Sequence, residues 1–85
     1  MISEHATHLV GLWIDNDYGT YKTKIHWLDR ASSINHRTVR AFVEDLGVSG
    51  LEKDLHTHEL TMDHVDWMEI ACDWEEELKE REENA

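Results

Sequence analysis

Along the chain, apolar side chains recur every three or four residues, the spacing of one face of an α-helix. The longest series predicts a helix over about residues 67–82: Trp67, Ile70, Ala71, Trp74 and Leu78. A second series predicts a helix over about residues 17–31: Tyr18, Tyr21, Ile25 and Leu28. A third predicts a helix that ends at Gly47: Val39, Phe42, Val43 and Leu46. A shorter pair predicts a small fourth helix: Leu51 and Leu55.

Capping residues stand at the ends of these series. Short oxygen-bearing side chains precede the second and third helices, within residues 15–17 and 32–35, and accept hydrogen bonds from free N–H groups of a first turn. Before the last helix, Asp66 and Glu69 have the spacing of a capping box, with Val65 and Ile70 as its hydrophobic staple. Ser49 is expected to cap the small helix, and Leu60 to close its end.

The start of the chain is less regular. Residues 1–8 are polar and predict a flexible N-terminal segment. The apolar run over residues 9–14 is too short for periodicity to separate a strand from a turn of helix. We therefore expect one mainly α domain over residues 9–85, a bundle of three or four helices, with a short N-terminal strand as an open alternative. No stretch approaches the roughly 18 consecutive apolar residues of a membrane span.

Charge divides the 85-residue chain into two unlike halves. The formal net charge is −11, of which residues 1–43 contribute +1 and residues 44–85 contribute −12. Such a charge disfavours nucleic acid and anionic membranes as direct partners, and leaves a basic protein surface, a metal ion or high salt as alternatives. A single cysteine, Cys72, and the lack of a signal sequence fit a reducing compartment such as the cytoplasm of a host cell.

Acidic residues follow the predicted last helix at +4, +3, +4 and +3, and form what we call the acidic stripe: Glu69, Asp73, Glu76, Glu80 and Glu83. At about 100° per residue the acidic stripe lies opposite the apolar face. Successive carboxylates are about 4.5–6 Å apart along the axis, the same order as the roughly 3.4 Å rise between phosphates of a nucleic-acid strand. A solvated helix face is the plainer interpretation of the same pattern.

Other residues are candidates for supporting roles. Four further acids of the same half are expected to add charge to a partner surface: Glu44, Asp45, Glu52 and Asp54. Trp27 lies off the apolar face of its helix, and is either a second buried contact or an exposed aromatic residue for partner binding or self-association.

Signals for catalysis or metal binding are weak. The chain has no glycine-rich phosphate loop and no nucleophile motif, so we expect no enzyme activity. His56, His58 and His64 lie within nine residues but lack the spacing of a zinc site, so neither a metal nor another cofactor is expected.

Two motifs resemble those of a group of short acidic proteins encoded by phages and other mobile elements. The group carries W-[IL]-x-N-D-x-x-x-Y near its start, matched over residues 13–21, and V-D-W-x-E-I-A near its end, matched over residues 65–71. The chain departs from the group in its many histidines and its longer acidic tail. The group has no assigned chemistry, so the resemblance implies a phage context and no site residues. In size, charge and helical character the chain is similar to anti-restriction and some anti-CRISPR proteins.

These observations predict a non-enzymatic inhibitor that presents carboxylates in place of nucleic-acid phosphates to a host defence complex. The alternative is a small self-associating module, with a homodimer as its simplest form, whose acidity serves only solubility or adaptation to salt.

Overall fold

The computed structural model describes residues 1–47 and 49–83, and shows a mainly α protein, as the sequence predicts. Its described residues form five α-helices and one short 3₁₀ turn, Met62–His64, between the last two helices. The α-helices are α1 (Glu4–Asn16), α2 (Tyr18–Arg30), α3 (His36–Asp45), α4 (Ser49–Thr57) and α5 (Trp67–Glu83).

Helix α1 differs from both expectations for the start of the chain. Residues 4–8, expected to be flexible, lie in the helix, and residues 9–14, for which a strand was the alternative, continue it. Ser3 caps the helix, since its Oγ accepts from the Ala6 N–H at 3.3 Å. The helical period of α1 begins at Ala6, which is fully buried. This additional helix brings the number to five rather than three or four.

The predicted helices α2, α3 and α5 begin at caps of the expected kind. Asp17 caps α2 by accepting from the Gly19 N–H at 3.0 Å. Asn35 caps α3, which ends before Gly47 at φ 62°, a left-handed conformation that glycine adopts without strain. The expected cap of α4 involves the side chain of Ser49, which lies outside the described residues.

The predicted capping box of α5 forms only in part. Asp66 Oδ1 accepts from the Glu69 N–H at 3.1 Å, as a cap does. The Asp66 N–H, which Glu69 would satisfy in a capping box, instead donates to Oγ1 of Thr7 in α1 at 2.9 Å. A hydrogen bond from the Ser3 N–H to the His64 carbonyl, 2.7 Å long, joins the same two parts of the chain. The first helix therefore completes the start of the last one.

One apolar core holds the helices together. Helix α5 packs along α3, and α1 contacts α2, α4 and α5. The core draws on every helix: Ala6, Leu9, Val10, Ile14, Leu28, Val39, Val43, Leu51, Leu55, Val65, Trp67, Ile70, Ala71 and Trp74. The predicted apolar face of α5 is thus confirmed. Tyr18, expected on the buried face of α2, is 74% exposed.

Candidate partner-binding surface

The acidic stripe of α5 is exposed along its whole length. All five of its acids are exposed, whereas Trp67, Ile70 and Trp74 on the opposite face are buried. From Glu69 to Glu83 the stripe extends over roughly 21 Å at about 1.5 Å per residue. The structure thus presents the five carboxylates together on one side of one helix.

No cation of the described residues neutralises the acidic stripe. The two basic residues of α5 pair elsewhere: Lys79 Nζ lies 3.7 Å from Glu75, and Arg81 Nη1 lies 2.9 Å from Asp29 of α2. Carboxylates spaced by three and four residues repel one another by a few tenths of a kcal/mol per pair. The arrangement therefore gives up some helix stability and leaves five carboxylates available to a partner.

The four supporting acids do not extend the acidic stripe. Glu44 pairs with Arg40 at 2.6 Å, and Asp54 accepts from the indole N–H of Trp13 at 3.0 Å, so both serve contacts within the fold. Asp45 and Glu52 are exposed on α3 and α4.

Glu44 and Glu52 also line a groove of about 900 Å³ together with Arg40 and Lys53. That surface carries charge of both signs, in contrast to the acidic stripe. This groove is therefore not uniformly negative, unlike a surface that a basic partner would select.

Trp27 does not form an exposed aromatic contact. Its ring is half-buried, stacks on Phe42 with ring centroids 4.9 Å apart, and meets the edge of Trp74 at 5.9 Å. Of the two interpretations offered by the sequence, the structure favours the buried contact, because α3 and α5 close over this side of α2. Trp27 therefore belongs to the packing of the fold.

A buried lysine is the feature that the sequence pattern missed. Lys24 of α2 is 2% exposed, and its Nζ lies 3.0 Å from Asp15 of α1 and 2.9 Å from Glu77 of α5. The ammonium also lies over the rings of Tyr21 and Trp74, at 5.0 and 5.3 Å from their centroids. One cation thus joins three helices.

Two opposing effects act on this lysine. Burial lowers the pKa of Lys24, but hydrogen bonds to Glu77 and Asp15, together with their charges, outweigh burial and hold the pKa above its ordinary value. Lys24 is therefore a protonated structural cation rather than a nucleophile or base.

The histidines and the cysteine form no recognisable chemical centre. The His5 and His58 rings meet edge to face at 4.6 Å, and His64 Nδ1 accepts from the Thr61 N–H at 3.0 Å. Cys72 is exposed on α5. Over residues 1–47 and 49–83, no group of three or more His, Cys, Asp or Glu side chains is arranged to hold a metal ion.

Comparison with known proteins adds no relative. No family model, no curated protein and no solved structure matches the chain. Among the described helices, none has the length and apolar character needed to cross a membrane.

Proposed function

We propose that the protein is a non-enzymatic inhibitor that binds the basic, nucleic-acid-binding surface of a host defence complex. The exposed acidic stripe, with no cation of the described residues paired to it, carries the proposal. Its five carboxylates on one helix offer a Lys- and Arg-lined groove a row of charges in place of phosphates. The protein binds neither nucleic acid nor membrane directly, needs no cofactor, and acts in the cytoplasm of the host.

Such a partner is recognised mainly through charge. Complementary charge accelerates the encounter of two proteins and sets its orientation, and this effect weakens as salt screens the charges. We therefore expect fast association that is sensitive to ionic strength. Because the acids are exposed, each contributes modestly, and the stripe acts as a set.

The test is affinity capture with the wild-type protein and a variant that lacks the acidic stripe. The variant carries Gln at Glu69, Glu76, Glu80 and Glu83 and Asn at Asp73. Each protein is immobilised and exposed to a bacterial lysate at about 0.15 M KCl, the physiological ionic strength. We expect the wild type alone to retain nucleic-acid-binding proteins, and duplex DNA or RNA to displace them. Equal retention by both proteins would refute the proposal.

A matched pair of variants separates position from net charge. One member replaces the last three acids of the stripe by Gln: Glu76, Glu80 and Glu83. The other replaces three exposed acids that lie off the stripe: Glu59, Glu75 and Glu82. Both members remove the same charge, so loss of retention only in the first member shows that position on α5 matters.

A further inference from the structure

A groove of about 620 Å³ lies between α1 and α5, beside the beginning of the acidic stripe. Gly11 and Leu12 of α1 and Ile70 and Trp74 of α5 provide its apolar lining. Leu12 is among the exposed large apolar residues of the protein. The volume is typical of sites that hold a small ligand or a few side chains. We call this site the α1/α5 groove.

The acids around the α1/α5 groove differ in how far they are already neutralised. Two of them, Asp15 and Glu77, hold the buried Lys24. The other three are exposed, and none forms an ion pair within the described part of the chain: Glu4, Glu69 and Asp73. The groove therefore combines an apolar lining with three uncompensated carboxylates, and its charge is complementary to a cationic occupant.

Gly11 gives an independent reason to expect an occupant. A glycine inside a helix destabilises the helix relative to alanine. Beyond its neighbours in the chain and the adjacent backbone of α1, a Cβ atom at Gly11 would meet no atom of the described residues within 4 Å, so packing within this chain does not require glycine. The missing side chain instead leaves the backbone of α1 open to close approach from the groove.

We propose that the α1/α5 groove binds a cationic helical segment of the protein partner. An apolar side chain of that segment lies over Gly11, and its Lys or Arg side chains pair with Glu4, Glu69 and Asp73. The inference rests on the proposed function and names the part of the partner that is held. Contacts in the groove set the lifetime of the complex, whereas the stripe acids beyond the groove promote the encounter.

The probe is a synthetic amphipathic peptide of about five helical turns, with Arg on two flanks of a leucine row. Its binding is measured by calorimetry at about 0.05 M KCl, where exposed charges are weakly screened. Gly11→Leu fills the groove without changing the charge, and Gly11→Ala is the matched control with a single added methyl group. Leucine and alanine both favour helix over glycine, so both variants are expected to melt at or above the wild-type Tm.

We expect Gly11→Leu to weaken peptide binding at least about 10-fold and Gly11→Ala about 2-fold or less, because only leucine occupies the space of the partner's side chain. Amide shifts on titration are expected to centre on Gly11 and Trp74. Equal binding by all three proteins, no binding by the wild type, or shifts confined to the last turns of α5 would overturn the groove assignment.

Two further readings separate this inference from the proposed function. Self-association of the free protein in sedimentation, abolished by Gly11→Leu, would identify the occupant as a second copy and overturn the cationic partner segment. Retention of nucleic-acid-binding proteins from lysate by Gly11→Leu, at the wild-type level, would overturn the groove while the proposed function stands. Whether the stripe variant loses retention is measured in the separate affinity-capture experiment, in which Gly11 is unchanged.

Discussion

The ion pairs of the buried Lys24 predict that removing the cation destabilises the protein less than removing its two carboxylates. The side chain of Lys24 is 2% exposed, whereas the side chains of Asp15 and Glu77 are 56% and 30% exposed. Lys24→Met keeps the aliphatic stem and removes the charge, and the two carboxylates can then return to water. The complementary change, Asp15→Asn with Glu77→Gln, leaves an ammonium that cannot reach water.

The magnitudes follow from this difference in exposure. A hydrogen bond to a charged group contributes about 1.5–3 kcal/mol, but two partly solvated carboxylates recover much of that, so we expect Lys24→Met to cost about 1–2 kcal/mol. A buried charge without a compensating partner costs about 3–5 kcal/mol. The amide oxygens of Asn and Gln still accept hydrogen bonds, so we expect the double variant to lose about 2–4 kcal/mol.

The pH dependence of stability provides a second signature. In the wild type the pKa of Lys24 is raised above its unfolded value, so its stabilisation is complete below about pH 10 and is lost as pH rises through the folded pKa. In the double variant the two carboxylate charges no longer offset the lowering of the pKa by burial, so the pKa of Lys24 falls below its unfolded value. The unfolded state then binds more protons than the folded state, and stability rises with pH.

Urea unfolding at about pH 7 and pH 9 measures both effects, since about one unit of pKa corresponds to 1.4 kcal/mol. We expect the free energy of unfolding of the double variant to increase between these values relative to the wild type. A larger loss from Lys24→Met than from the double variant, with no relative change between the two pH values, would refute the assignment of Lys24 as a buried ammonium held by more exposed acids.

Three further predictions concern the fold. Glu59 lies two residues after the end of α4, in the left-handed region at φ 60°. Glu59→Gly should therefore raise the free energy of unfolding by about 1 kcal/mol, while Glu59→Ala, which removes the same charge, should not. Thr7→Val should lower it by about 1–2 kcal/mol by removing the acceptor of the Asp66 N–H, and Thr7→Ser should retain most of the stability; equal losses would contradict this role. Trp27→Ala should lower stability by about 2–4 kcal/mol through its contact with Phe42 and leave sedimentation unchanged, whereas a change of oligomeric state alone would contradict the packing role.

Local signals predicted most of the helices because each depends on neighbouring residues. The caps Asp17, Asn35 and Asp66 stand directly before apolar series of helical period, and the structure places helices there. The same signals exist in α1, where Ser3 precedes Ala6 and a helical series follows. The polar average of the first eight residues conceals these signals.

The features that depend on distant parts of the chain were not predictable in this way. Lys24 lies three residues after Tyr21 and four before Leu28, so helical period places it beside apolar positions of α2. Its ion pairs, however, form only because α1 and α5 bring Asp15 and Glu77 to it. The α1/α5 groove has the same origin, since its lining comes from helices about 60 residues apart in sequence. The acidic stripe, in contrast, lies within one helix and was evident from spacing alone.

The hydrogen bonds from Ser3 to His64 and from Asp66 to Thr7 have a consequence for the dynamics of the protein. The first turn of α1 and the first turn of α5 hold each other, so the opening of one exposes the other to solvent. Amide protons of Ser3 and Asp66 should therefore exchange with solvent in a single opening event, although 62 positions separate them in the sequence. During synthesis from the N-terminus, α1 therefore acquires these two hydrogen bonds only after the beginning of α5 has been made.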